Sequence, residues 1–178
     1  MKHMLIIMIL APQVGAFETD LTVNGLKQAQ TSLVRTKTMA DQEEASRYNI
    51  AEGVSIIGDS VTLRATPGLQ EVLPDAQTDA QVSRNTKQAS AIMLYNSQNK
   101  ALPKVVVVAT GVNNPEDYKA DLDFLISNLP KGHQLVLVTP YEGDTSQETQ
   151  PYVEKYASYA REVAQQYPYV EIADWNQV

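Results

Sequence analysis

The reactive groups available to this chain are oxygen nucleophiles and carboxylates. It contains no cysteine, which excludes thiolate catalysis, disulfides and thiolate zinc sites. Its two histidines, His3 and His133, are too few for a histidine-built metal cage. Among the serines, Ser60 is set apart by its surroundings. It falls in Gly58-Asp59-Ser60-Val61, after an apolar run and before a stretch that reads as helical. A serine there lies where a parallel strand delivers its carboxyl end to the ligand-binding edge of a sheet. Gly58 permits an unusual turn, and the Ser60 N–H lies at a helix N-terminus whose dipole favours a developing negative charge. The plainer reading is a helix cap supplied by Asp59 or Ser60.

A second block, Gly111-Val112-Asn113-Asn114, follows another apolar run and falls at the same predicted edge. An Asn side-chain amide beside a Ser backbone N–H is the type of paired donor that stabilises a tetrahedral oxyanion. Alone, Asn113 reads as a turn residue and Asn114 as a helix cap. Two such blocks converging at strand ends favour a site.

The elements that must position these residues follow from hydrophobic patterning. After Gly53, short apolar runs alternate with longer amphipathic stretches, the signature of strand-helix-strand units around a parallel sheet. Five strands are predicted, over 54–57, 76–82, 104–109, 135–138 and 169–172. The second is expected at an edge, and the four valines of the third suit burial on both faces. One helix is predicted to start at Asn114-Pro115, with Asp117 in its first turn and Tyr118, Leu122, Leu125, Ile126 and Leu129 on one face. A second, within 146–167, places Tyr152, Tyr156, Tyr159 and Val163 on one stripe. Sheet packing with the hydroxyls at the rim outweighs a sugar-stacking role for that stripe.

With 178 residues, 43% hydrophobic and 20% charged, the chain fits one compact domain with a real core. Its net charge of -7 and lack of a basic cluster argue against a nucleic-acid partner. Lys2 and His3 precede an apolar run over 4–10, followed by Gly15 and Ala16. This resembles a signal peptide, but falls far short of the roughly 20 residues that span a bilayer. A remnant of a membrane segment, a vector-derived leader, or a strand or short helix packed on the domain are the alternatives. Residues 17–48 are polar with a thin apolar stripe. The expected organisation is an N-terminal apolar segment and peripheral arm over 1–52 and the main domain over 53–178.

The Gly58-Asp59-Ser60 and Gly111-Val112-Asn113-Asn114 blocks resemble those of the SGNH (GDSL-type) hydrolase superfamily. The stretch from Gly58 through Asp174-Trp175, including Asp79-Ala80-Gln81-Val82-Ser83-Arg84 and Val138-Thr139-Pro140, is more specifically similar to the extracytoplasmic domain of Gram-positive peptidoglycan O-acetyltransferases. The resemblance implies a three-layer α/β/α sandwich, flavodoxin-like, with a parallel sheet of about five strands. It makes Ser60 the acyl-accepting nucleophile and a backbone oxyanion donor, Asn113 a side-chain oxyanion donor, and Asp59, Val82 and Gly111 substrate-contacting positions. Val82 stands where most SGNH members have Gly, a departure that also looks like the acetyltransferase branch. Its side chain is expected to make the site tighter and more apolar.

The family's last block supplies an Asp and a His about three residues apart after the final strand, and this chain is expected to stop before it. His133, in the turn Pro130-Lys131-Gly132-His133, is expected at the surface and at the amino edge of the sheet. Asp174 follows the last strand without a His to orient. Loss of a triad member costs roughly 10⁴ to 10⁶ in kcat, so the chain alone is expected to be impaired. The intact parent would transfer acetyl to a muramic acid hydroxyl through acyl-Ser60. The resemblance implies a peptidoglycan glycan and an acetyl donor as partners, an upstream membrane acyltransferase portion, and display outside the cell; it implies no metal and no cofactor. The alternatives are a carbohydrate or lipid esterase and a non-catalytic glycan-binding module.

Overall fold

The computed structural model describes residues 48–113, 117–141 and 150–177. The elements are β1 (Val54–Gly58), α1 (Ser60–Val72), β2 (Gln77–Ala80), α2 (Thr86–Gln98), β3 (Val105–Ala109), α3 (Tyr118–Ser127), β4 (Gln134–Val138), α4 (Gln150–Ala164) and β5 (Val170–Ala173), followed by a 3-10 turn, Trp175–Gln177. All five strands run parallel in the order β2-β1-β3-β4-β5. The five predicted strands are all present, and β2 is at the edge as expected.

That order explains the layering. The chain steps outward from β1 to β2, then reverses past β1 to β3 and continues to β5. Right-handed crossovers place connecting helices on opposite faces when the direction of travel reverses. Gly58 marks the α1 face, since a Cβ on it would lie 2.1 Å from Thr62 Oγ1 of α1. Ile57, Val106, Val108 and Leu135 point to the other face, where they join Met93 of α2, Leu122 and Leu125 of α3 and Tyr156 of α4 in one core cluster. Each fully buried Leu or Ile contributes about 1.5–3 kcal/mol through area removed from water. The result is the expected three-layer α/β/α sandwich, with α1 on one side and α2, α3 and α4 on the other.

Several details depart from the sequence reading. The valines of β3 are fully buried on one face only; Val106 and Val108 are covered, while Val105 and Val107 are half-buried. Helix α2 is not marked by an apolar stripe, because its buried face is built from Thr86, Ala89, Ser90 and Met93. Its start is instead written in a capping box, with the Gln88 N–H on Asn85 Oδ1 at 2.9 Å and the Asn85 N–H on Gln88 Oε1 at 3.0 Å. Helix α3 forms with Leu122, Leu125 and Ile126 buried, and Asp117 precedes it without a side-chain cap bond. The cap expected at Asn114-Pro115 lies outside the described residues, as do the apolar run and the arm over 1–47. Residues 51–53 lead into the sheet through bonds from the Lys104 N–H to the Ala51 carbonyl and from the Val105 N–H to the Gly53 carbonyl.

Candidate active site

The reversal of direction leaves a crevice between the carboxyl ends of β1 and β3, the topological switch point where ligands bind in open α/β sheets. Gly58 and Ala109 are partners in register at that end, and the Asp59 N–H continues the ladder onto the Ala109 carbonyl at 3.2 Å. Ser60 is the first residue of α1. Asp59 is the cap, its Oδ1 accepting from the Val61 N–H at 2.9 Å. At 3% exposure, burial pushes its carboxyl pKa up, against the lowering effect of the backbone N–H groups around it. The carboxylate therefore holds the helix start, and Asp59 faces the crevice only as part of its wall. With Asp59 as the cap, the Ser60 hydroxyl has no hydrogen-bond partner among the described residues.

The neighbouring strand end is shaped by Gly111, at φ +124°, where a Cβ would lie 2.9 Å from both the Pro140 Cγ and the Tyr156 ring. Gly111 thus sets the backbone path and lets that ring approach. Two residues on, the Asn113 Nδ2 donates to the Arg84 carbonyl at 3.2 Å. One of its two amide hydrogens is held there and the other has no partner among the described residues. Val82, in the turn after β2, is 61% exposed and lies outside the apolar depression described below.

Two groups of residues at this edge escaped the sequence reading. Arg84, 5% exposed, donates through Nη1 to the Gly58 carbonyl at 3.2 Å and to the Asp79 carbonyl, and through Nη2 to Asp79 Oδ1 at 2.6 Å. Beneath the β3 end, the Thr86 hydroxyl meets both Thr110 Oγ1 and the Tyr156 hydroxyl at 2.9 Å. Burial pushes the Tyr156 phenol pKa up, and its hydroxyl is enclosed, where the sequence placed it at the rim. The tyrosine stripe does pack, as expected: the rings of Tyr152, Tyr156 and Tyr159 surround that of Tyr118. For Arg84 the available signal was an arginine inside a turn motif beside a strand end. For Tyr156 the available signal was a helical register shared with buried Ala160 and Val163.

The edge continues across β4 and β5 as an apolar depression whose wall includes Asp59, Val61 and Thr62 on one side and Thr139, Tyr141 and Trp175 on the other. The Tyr141 and Trp175 rings lie 5.7 Å apart, both partly exposed. Asp174 is fully engaged: Arg161 donates Nε to its Oδ2 and Nη2 to its Oδ1, both at 2.8 Å, and the Thr139 hydroxyl reaches Oδ1 at 2.9 Å. The Arg161 hydrogen bonds first, then that of Thr139, hold its carboxyl below the usual carboxylate range. His133 precedes β4 at the amino edge, as expected, but it is not a surface residue. It is 8% exposed with Nδ1 2.8 Å from the Pro103 carbonyl, and burial lowers its pKa. Ser60 and Asn113 both follow strand ends at the carboxyl edge, those of the paired β1 and β3, and His133 lies at the opposite, amino edge.

Fold and edge together define a class, a doubly wound α/β domain with a free serine heading the first helix at the switch point. The C-terminal catalytic domain of Streptococcus pneumoniae peptidoglycan O-acetyltransferase A, solved with a methylsulfonyl adduct, is 63% identical over 72% of this chain and 72% of that chain, with a TM-score of 0.70. A Bacteroides fragilis protein described as an acylhydrolase shares the fold at 12% identity and a TM-score of 0.53, covering 71% of this chain and 68% of that chain. No protein-family model and no curated protein matches the chain. The chain belongs to the family of peptidoglycan O-acetyltransferase catalytic domains, with the SGNH (GDSL-type) fold.

Proposed function

We propose that this chain is the acyl-transfer domain of a peptidoglycan O-acetyltransferase, with Ser60 as nucleophile. The observation that carries the reading is the unpartnered Ser60 hydroxyl at the β1/β3 switch point, at the sheet edge that also carries Asn113, in a chain 63% identical to such a domain. In the first half-reaction Ser60 Oγ bonds to the acetyl carbonyl carbon as its proton is removed, and the donor's leaving group departs with the bonding pair and takes up that proton. In the second, a muramic acid hydroxyl attacks acetyl-Ser60, and the serine recovers its proton. The oxyanion formed in each step is met by the Ser60 N–H, the free Asn113 amide hydrogen and the backbone N–H of Val82, each such donor being worth roughly 10²–10³ in rate.

The general base is not among the described residues. His133 is across the sheet and Asp174 is saturated by Arg161 and Thr139. Among the described residues we therefore assign the nucleophile and oxyanion roles, to Ser60, Asn113 and Val82. The same reading implies an acetyl donor, a membrane acyltransferase portion in the parent and placement outside the cell; among the described residues no helix is long and apolar enough to cross a membrane.

The test is release of p-nitrophenol from p-nitrophenyl acetate by this chain, by Ser60→Ala, and by the chain carried past Val178 by whatever its gene encodes. Activity that appears with the extension and vanishes with Ser60→Ala supports the reading. Extended-chain activity that survives Ser60→Ala overturns it. Adding a glycan acceptor separates transfer from hydrolysis, since an esterase releases acetate equally with and without it. The partly exposed Tyr141–Trp175 pair beside the depression favours glycan binding as a component of either activity, because sugar rings stack on aromatic faces. Trp175 is the sole tryptophan of the chain. Its emission is expected to shift on addition of millimolar peptidoglycan oligosaccharide, and to do so equally in Ser60→Ala.

A further inference from the structure

We propose that Arg84 is a positioning residue that fixes the oxyanion donors of this site, an inference that rests on the reading of Ser60 and Asn113 given above. The three strand ends that form the crevice, those of β1, β2 and β3, meet at this one side chain and its own backbone. Its guanidinium reaches the Gly58 carbonyl, the last of β1 and the peptide immediately before Asp59-Ser60. The same group holds the end of β2 through the Asp79 carbonyl and carboxylate, with Gln81 Oε1 at 3.5 Å. Its backbone carbonyl accepts from the Asn113 side chain, which hangs from the end of β3.

Ser83 sits at φ +60°, a conformation that costs a non-glycine residue energy and persists where the surroundings enforce it. Two backbone bonds close the turn, from the Arg84 N–H to the Gln81 carbonyl at 3.3 Å and from the Gln81 N–H to the Gly58 carbonyl at 3.1 Å. The guanidinium adds a planar fork that ties both strand ends from one point, a geometry an ammonium group cannot reproduce. Buried as it is, the cation is neutralised by Asp79, whose side chain is half exposed.

Two consequences follow for the chemistry. Because the Arg84 carbonyl accepts from Asn113, the amide nitrogen is fixed toward that carbonyl and the orientation of the second hydrogen is set with it. And because Val82 and Ser83 lie between Asp79 and Arg84, the clamp also fixes the direction of the Val82 N–H. Arg84 touches no reacting atom in this arrangement; it acts through Asn113 and Val82.

The experiment compares ¹H–¹⁵N spectra and amide hydrogen exchange of the whole chain with those of Arg84→Met and Arg84→Lys, the Asn113 side-chain signals being assigned by their loss in Asn113→Asp. In the unsubstituted chain the Asn113 amide hydrogen held by the Arg84 carbonyl is expected to exchange slowly. In Arg84→Met its exchange is expected to rise at least tenfold, with shifts at the Ser60 and Val82 amides while the β3 and β4 amides stay protected. Unchanged Asn113 signals in folded Arg84→Met overturn the proposal. Should that variant not fold, Arg84→Lys decides, since it keeps a charge for Asp79 and loses the second arm; unchanged Asn113 signals there overturn it, and altered ones support it. In acyl transfer by the extended chain, Arg84→Lys is expected to lower kcat about 10- to 100-fold with KM little changed, and Asn113→Ala is expected to cost much less on that background than alone. A full additive cost overturns the coupling. If no Ser60-dependent acyl chemistry is found, the functional reading fails and the spectra still decide the clamp.

Discussion

Two aspartates follow strand ends at the same edge of one sheet, Asp59 after β1 and Asp174 after β5, and their surroundings drive them in opposite directions. Asp59 is buried without a cationic partner, caps α1, and has its carboxyl pKa raised by desolvation. Asp174 is partly exposed, accepts three side-chain hydrogen bonds, and has its carboxyl held low by Arg161. The difference shows how the edge is divided. At the β1/β3 end, the Asp59 carboxyl is used to cap α1 and the Ser60 hydroxyl is left without a partner among the described residues. At the β5 end, both oxygens of the carboxylate are used to tie the last strand to α4 and to the end of β4. Position at the carboxyl edge makes both aspartates candidates, and their partners tell them apart.

Substitutions can break this division. The largest expected effect is Asn113→Ala, which should lower Ser60-dependent acyl transfer about 10²–10³-fold, as loss of one oxyanion donor does elsewhere, while moving the urea midpoint little. An acyl rate within threefold of the unsubstituted chain would place Asn113 among ordinary turn residues. Next is Gly58→Ala, whose Cβ would lie 2.1 Å from Thr62 Oγ1 and 2.3 Å from Thr62 Cβ. Overpacking of this kind should cost about 1–3 kcal/mol in urea unfolding. Gly68→Ala in the same helix meets nothing within 4 Å and should be stabilising by roughly 0.5–1 kcal/mol.

Asp174→Asn sharpens the contrast from the other end. It should cost roughly 0.5–1 kcal/mol of stability, as for a partly exposed ion pair, and leave Ser60 chemistry unaltered. The stabilisation Asp174 gives is present above its unfolded pKa near 3.8 and is lost as pH falls through its lower folded value. The smallest effect concerns His133. Its folded pKa is lowered, so the unfolded chain takes up a proton first as pH falls below about 6.5, and stability declines from there toward the folded pKa. Unfolding midpoints of His133→Gln measured from pH 8 to 5 should show a flatter decline; an identical slope would mean that other groups carry it.

The legible part of the fold was carried by consecutive apolar residues. The runs ending at Gly58 and Ala109 and the stripe Leu122-Leu125-Ile126 could be placed because burial on a sheet face or helix face needs several apolar side chains at a fixed period. Helix α2 could not, since a buried face of Thr, Ala and Ser has no hydrophobic period; the pair Asn85 and Gln88 marked its start instead. Ser60 and Asn113 were legible because strand ends in a doubly wound sheet are known places. Arg84 was not, because its partners at Gly58 and Asn113 lie 26 and 29 residues away in the chain. The enclosed Tyr156 hydroxyl was missed for the same reason, its Thr86 partner being 70 residues distant.

By itself, then, the sequence determined which segments are strands, that the sheet is parallel, and which serine and asparagine fall at its carboxyl edge. All of these depend on local period and on residue types next to one another. The tertiary structure decided the rest: that Asp59 caps while Ser60 stays free, that Asp174 is neutralised by Arg161, that His133 is buried on the far side, and that one arginine joins three strand ends. Hydrogen bonds and charge pairs act over a few ångströms in space with no fixed spacing in sequence, so they exist as information only after the chain has folded.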